Sequence, residues 1–338
     1  MLSVTYGSGI VLSWVCNLWV VYLFQVNMDD WNTQDAASTH KMHPARDAER
    51  SQHSLDHERS ELPGKAAAPI GVFDSGAGGL TILSALRQEL PGEHYIYFGD
   101  TAHCPYGTRT DTDIINLSIQ ISRFLIDRGV KLIVVACNTA TQAAITTLRA
   151  TFPAVLFIGV VPAVKPAARA TKKGRIGIAA TNQAAKALYL RQLIDEFAEG
   201  ILAYAVGCPE LVTLVERGEL DGPVVEEIVR QALQPVLEQD VDVIVLGCTH
   251  FPALRPIIER VAGNQVQIID SGAAIARRTR AVLDAEGLIQ TSGLERFSRG
   301  EIEVLCSGDP QAFSNVAGKI VGYSIVAQQV SLKREGVL

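Results

Sequence analysis

The chain has 338 residues, 48% of them hydrophobic and 20% charged, with a formal net charge of -6. That length exceeds what a single core usually fills, so two domains or lobes of an ordinary globular protein are expected. The negative balance leaves no basic footprint for nucleic acid. The six cysteines show neither CxxC pairs nor zinc spacing, which fits reduced thiols better than a disulfide framework.

Residues 1–68 stand apart from the rest. Met1 to Met28 carries no charge, and its centre, IVLSWVCNLWVVYLFQV, is apolar enough to be weighed as a membrane segment. It is marginal in length, contains Asn17 and Gln25, and lacks the basic flank of a signal peptide. Two readings stand: a start assigned too far upstream, with Met28 or Met42 the true first residue, or an anchor. From Asp29 to about Ala68 the polar composition without apolar periodicity predicts a disordered tail or linker. His40, His43, His53 and His57 fall there, and a solvated tail is a simpler account of them than a metal-binding tract.

The folded part opens at PIGVFD, where a strand, the Gly-rich turn SGAGG and the helix LTILSALRQEL follow in order. HYIYFGD predicts a second strand leading into the loop TAHCPYGTRT, then a helix through Ile114 to Ile126, then the buried strand KLIVVAC. The pattern recurs: RIGIAAT and a helix, then AYAVG leading into GCPELVTLVE read as a loop, a helix near Val224 to Leu237, and the strand VDVIVLGC. IGVFDS matches IGIAAT, and IVVACNT matches IVLGCTH, which predicts an internal duplication. The expected fold is α/β, with two pseudo-symmetric lobes, each a mostly parallel sheet flanked by helices, around an active-site cleft. We place one lobe at residues 69–163 plus 268–330 and the other at 164–267, with QVQIID returning the chain to the first. The segment from about Ala273 carries a helix and strand pair without a clear motif.

Each half delivers one thiol, Cys137 or Cys248, to the end of a buried strand, where open α/β sheets collect their chemistry. A lone cysteine there is more often a packed structural thiol. Two at equivalent places in a duplicated sequence suggest paired catalytic groups on opposite sides of one substrate. A thiol titrates near ~8.5 and is tuned by neighbouring cations and helix N-termini, so it can act as acid or base. Asn138 and Thr139 follow the first thiol, Thr249 and His250 the second. Cys104, Cys208 and Cys306 lack this duplication logic, and Cys16 lies in the leader. Asp74, Asp100 and Asp270 end strands at the same edge, where helix and turn capping is as good an account as catalysis. The turn DSGAGGLT lacks a Gly-Lys-Ser/Thr, but its backbone N–H groups can receive an anion, and a substrate carboxylate would serve. Only His94, His103 and His250 lie in the folded part, too few for a metal-dependent hydrolase.

GVFDSGAGGL, GDTAHCPYG, ACNTAT, GCPELVTLVE, LGCTHFPAL and IDSG, in this order from about Pro69 to Gly322, resemble the glutamate racemase family. The resemblance implies a two-base reaction without pyridoxal phosphate or metal, in which one thiolate removes the α-proton of glutamate and the opposite thiol protonates the other face. It makes Cys137 and Cys248 the acid/base pair, acting on D- and L-glutamate respectively. Asp74 and Ser75, Tyr106 and Gly107, Asn138 and Thr139, and Thr249 and His250 would hold the substrate. Asp74 and His250 would also tune the thiols, with Asp100, Glu216 and Thr181 as further assisting candidates. It further implies a cytoplasmic homodimer supplying D-glutamate for peptidoglycan, with a cell-wall precursor as a candidate activator and no need of nucleic acid. An aspartate racemase or another two-thiol racemase is the alternative. The chain departs from the family at Thr181-Asn182-Gln183-Ala184 and Leu188, where Ala184 and Leu188 replace two hydroxyl residues, so altered substrate-carboxylate contacts are expected on that side.

Overall fold

The computed structural model describes residues 65–290 and 300–332, together with Tyr22–Leu23. The leader and the histidine tract otherwise lie outside the described residues. No helix among the described residues is long and apolar enough to cross a membrane.

After β1 (Tyr22–Leu23) the chain runs through β2 (Ile70–Asp74), α1 (Leu80–Glu89), β3 (Tyr95–Gly99), α2 (Asp111–Asp127), β4 (Leu132–Val135), α3 (Asn138–Thr151) and β5 (Leu156–Gly159). The second half supplies α4 (Val164–Ala170), β6 (Arg175–Ala180), α5 (Asn182–Lys186), α6 (Leu188–Phe197), β7 (Leu202–Gly207), α7 (Pro209–Glu216), α8 (Pro223–Leu237), β8 (Val243–Leu246), α9 (Arg255–Ala262) and β9 (Gln267–Ile269). It ends with α10 (Gly272–Ala285), β10 (Ile302–Cys306), α11 (Pro310–Val321) and β11 (Gln328–Gln329).

Among the described residues two sheets form, ordered β11-β10-β3-β2-β4-β5 and β1-β7-β6-β8-β9. Every pairing is parallel except β1 with β7. The order β3-β2-β4-β5 repeats as β7-β6-β8-β9, so the repeat seen in the sequence is a repeat of topology. Helices cover both faces, which is why β2, β3, β4 and β8 are buried throughout and read as unbroken apolar runs. Phe73, Tyr97 and Phe98 are fully buried, each contributing about 1.5–3 kcal/mol of apolar burial.

The structure corrects two expectations. β9 pairs with β8 and completes the second sheet, so the boundary placed between residues 267 and 268 belongs after Ile269. The return is made by α10, which packs on α1. GCPELVTLVE is not a loop: Pro209, preset for a first helical turn, starts α7. The motif-free C-terminal segment supplies β10, which pairs with β3 inside the first sheet.

Candidate active site

Parallel strands of both sheets end at one narrow cleft. Ser75, Tyr106, Gly107, Cys137, Asn138, Thr139, Thr181, Cys248, Thr249 and His250 line it, and all were singled out in the sequence; Pro105 and Val212 join them. Val212 stands one helical turn before Glu216 on α7, so a helical reading of GCPELVTLVE finds it where a loop reading does not.

Cys137 is the N-cap of α3, its Sγ accepting the Ala140 N–H at 3.4 Å, and its thiol faces Ser75 Oγ at 3.9 Å. Cys248 Sγ lies 3.6 Å from His250 Nδ1. Both thiols are buried. Burial first, and then the Asp74 carboxylate, push the Cys137 thiol up to about 12. Asn138 Nδ2 is buried without a hydrogen-bond partner, a donor aimed where a ligand oxygen would satisfy it.

Asp74 does not line the cleft but lies directly behind it. Its Oδ1 accepts the Gly76 N–H at 2.8 Å and its Oδ2 accepts the Thr249 hydroxyl at 3.0 Å. Burial raises its pKa, against the pull of His250 and these donors. Glu216 Oε1 accepts the Ala77 N–H at 2.7 Å and pairs with His250 Nε2 at 2.6 Å. Burial opposes ionisation of Glu216, but His250 outweighs it and the carboxyl titrates below its ordinary value. Burial likewise opposes the charge on His250, and its bonds to Cys104, Cys248 and Glu216 prevail, raising its pKa well above the usual value.

Two N–H groups of the glycine turn, those of Gly76 and Ala77, serve the internal Asp74 and Glu216 carboxylates. The glycines allow it: a Cβ on Gly76 would stand 2.2 Å from Glu216 Oε1, and one on Gly78 would stand 2.4 Å from His250 Nδ1. Hydrogen bonds stitch the two halves together beside the cleft. Besides Asp74 to Thr249 and Ala77 to Glu216, Thr139 and Thr181 hydroxyls meet at 3.1 Å, and Thr81 donates to the Thr249 carbonyl at 2.9 Å.

Asp100 sits one bond behind the cleft, accepting from the Tyr106 hydroxyl at 2.6 Å and from Ser307 at 2.6 Å, and pairing with His103 at 2.8 Å. It fixes the Tyr106 phenol. Ser307, from the motif-free C-terminal segment, was invisible in the sequence. Asp270 pairs with Arg255 and accepts the Gly272 N–H at 2.8 Å, a turn and helix-start role. Cys208 and Cys306 are buried away from the cleft. Cys104 is half-buried beside Glu216 and His250. Ala184 is buried and Leu188 is 66% exposed, and neither lines the cleft.

A family model for Asp/Glu/hydantoin racemases matches residues 71–279. The glutamate racemase of Herpetosiphon aurantiacus is 45% identical over 248 residues, covering 73% of this chain and 96% of that protein. The crystal structure of glutamate racemase from Francisella tularensis in complex with D-glutamate aligns with a TM-score of 0.69 at 29% identity, covering 80% of this chain and 100% of that one. The Escherichia coli enzyme, in complex with L-glutamate and the activator UDP-MurNAc-ala, aligns with a TM-score of 0.67 at 33% identity, covering 77% and 97%. Two thiols at matching strand ends, one cleft and these likenesses agree: the chain belongs to the Asp/Glu/hydantoin racemase family, among its glutamate racemases.

Proposed function

We propose that Cys137 and Cys248 are the acid/base pair that interconverts L- and D-glutamate in this cleft. The supporting observation is that the two thiols, one from each sheet, line the same small cleft. An α-proton is a weak acid, and its removal leaves enolate-like charge on the substrate carboxylate, which preorganised donors must stabilise. The buried Asn138 amide, the hydroxyls of Thr139, Thr181 and Thr249, and the N-terminus of α3 are such donors.

With D-glutamate bound, Cys137 as thiolate takes the α-proton and the Cys248 thiol protonates the opposite face; with L-glutamate the roles exchange. The substrate ammonium supplies a cation that lowers a thiol pKa raised by burial. Asp74 tunes Cys137 and orients Thr249. His250, held by Glu216, stands against Cys248, and Asp100 acts through Tyr106. Ser75, Tyr106 and Gly107 complete the wall.

The proposal extends to a cytoplasmic homodimer that supplies D-glutamate for peptidoglycan and responds to a precursor like the activator of the Escherichia coli relative. The lobes comprise residues 69–163 with those after Ile269, and 164–269. The test is racemisation of L-glutamate followed by circular dichroism, with Cys137→Ser and Cys248→Ser variants and aspartate as the competing substrate. Loss of turnover in both variants with D-glutamate binding kept supports the proposal. Turnover of aspartate in preference to glutamate assigns the cleft to an aspartate racemase.

A further inference from the structure

A third thiol stands beside this machinery. Cys104, from the loop after β3, Glu216, at the end of α7, and His250, after β8, bring a sulfur, a carboxylate oxygen and an imidazole nitrogen within 4.8 Å of one another. Three elements far apart in sequence thus converge on one point. Thiolate, imidazole and carboxylate are the donors zinc selects, at about 2.3, 2.0–2.1 and 2.0–2.2 Å. A tetrahedron with those bonds separates its ligands by roughly 3.4–3.6 Å, so small side-chain adjustments suffice. The cluster also has an entry path, since Cys104 is half-buried and the Glu216 side chain is 22% exposed.

We propose that Cys104, Glu216 and His250 form a zinc site that switches the enzyme off. The ion takes the place of the proton His250 shares with Glu216, and the Cys104 thiol loses its proton to become a ligand. With His250 and Glu216 committed to the metal, His250 no longer supports Cys248. This consequence rests on the proposed role of Cys248, whereas the site itself does not.

The test uses the whole protein and Zn²⁺ alone. Cys104 is the half-buried thiol among the described residues, so its alkylation by iodoacetamide, located by peptide mass mapping, reports the site without turnover. Stoichiometric Zn²⁺ is expected to protect Cys104 from alkylation and to stop racemisation. Co²⁺ is expected to give the near-ultraviolet thiolate charge-transfer band. Cys104→Ala is expected to lose the Co²⁺ band and, measured against its own zinc-free rate, to need about 100-fold more Zn²⁺ for half-inhibition, the scale of losing support at a metal site. Unchanged alkylation of wild-type Cys104 in saturating Zn²⁺ would overturn the proposal, as would equal inhibition of wild type and variant. Protection in a protein that does not racemise glutamate would leave the metal site standing and remove the two-thiol mechanism.

Discussion

Gly76→Ala tests whether Glu216 is the anion held by the glycine turn. The new Cβ would stand 2.2 Å from Glu216 Oε1, 2.8 Å from its Cδ and 2.9 Å from Cys104 Sγ, so the carboxylate has to leave. Its departure breaks the charge-assisted pair with His250, worth about 1.5–3 kcal/mol, and strands the Ala77 N–H, at about 1–3 kcal/mol. Against this, Gly→Ala at a position without a left-handed backbone stabilises by about 0.4–1 kcal/mol through the unfolded chain. Glu216 is 22% exposed, so water replaces part of what is lost, and the expected net destabilisation is about 2–3 kcal/mol. Urea denaturation measures it. Gly92→Ala is the control, since a Cβ there meets nothing within 4 Å. In a Glu216→Ala background the cost of Gly76→Ala should fall by about 1–2 kcal/mol, because the two residues share one interaction. A Gly76→Ala protein as stable as the control, or strictly additive effects in the double variant, would refute the reasoning.

Thr249→Val removes the donor 3.0 Å from Asp74 Oδ2, so the Asp74 carboxyl, already raised by burial, rises further. The acidic limb of kcat/KM against pH should move upward. Folding stability should fall as pH rises above about 9, where the unfolded chain loses thiol protons that native Cys137, pushed up to about 12, keeps. The slope contributed by this thiol is at most about 1.4 kcal/mol per pH unit, and Cys137→Ala should make the measured slope shallower. Leu188→Ser, on a side chain 66% exposed and outside the cleft, should leave KM for glutamate unchanged; a changed KM would restore that position to the substrate wall.

The thiols were legible because burial on both faces writes a strand as an unbroken apolar run, and the duplication placed two cysteines at the ends of equivalent runs. Local signals also carried the helices near Ile114 to Ile126 and Val224 to Leu237, observed as α2 and α8. What the sequence hid depends on contacts between distant residues. Glu216 meets the glycine turn across 139 positions, and Thr249 meets Asp74 across 175. Ser307 reaches Asp100 across 207, from the bend just after β10, a strand whose place beside β3 has no local signature. The misplacement at Ile269 has a related cause. β9 is short and only half-buried, so its pattern does not say which sheet it extends.

The most direct test of the two-thiol claim is the early time course of deuterium incorporation, followed by proton NMR, when pure L-glutamate or pure D-glutamate is turned over in D2O. A thiol on the far face exchanges with solvent before it protonates the substrate, while the abstracted proton stays on the near thiol. The account predicts that product forms with solvent deuterium at the α-carbon while remaining substrate keeps its protium, from both directions. Equal early deuterium in substrate and product would mean a single base serves both faces, and would contradict the pairing of Cys137 with Cys248.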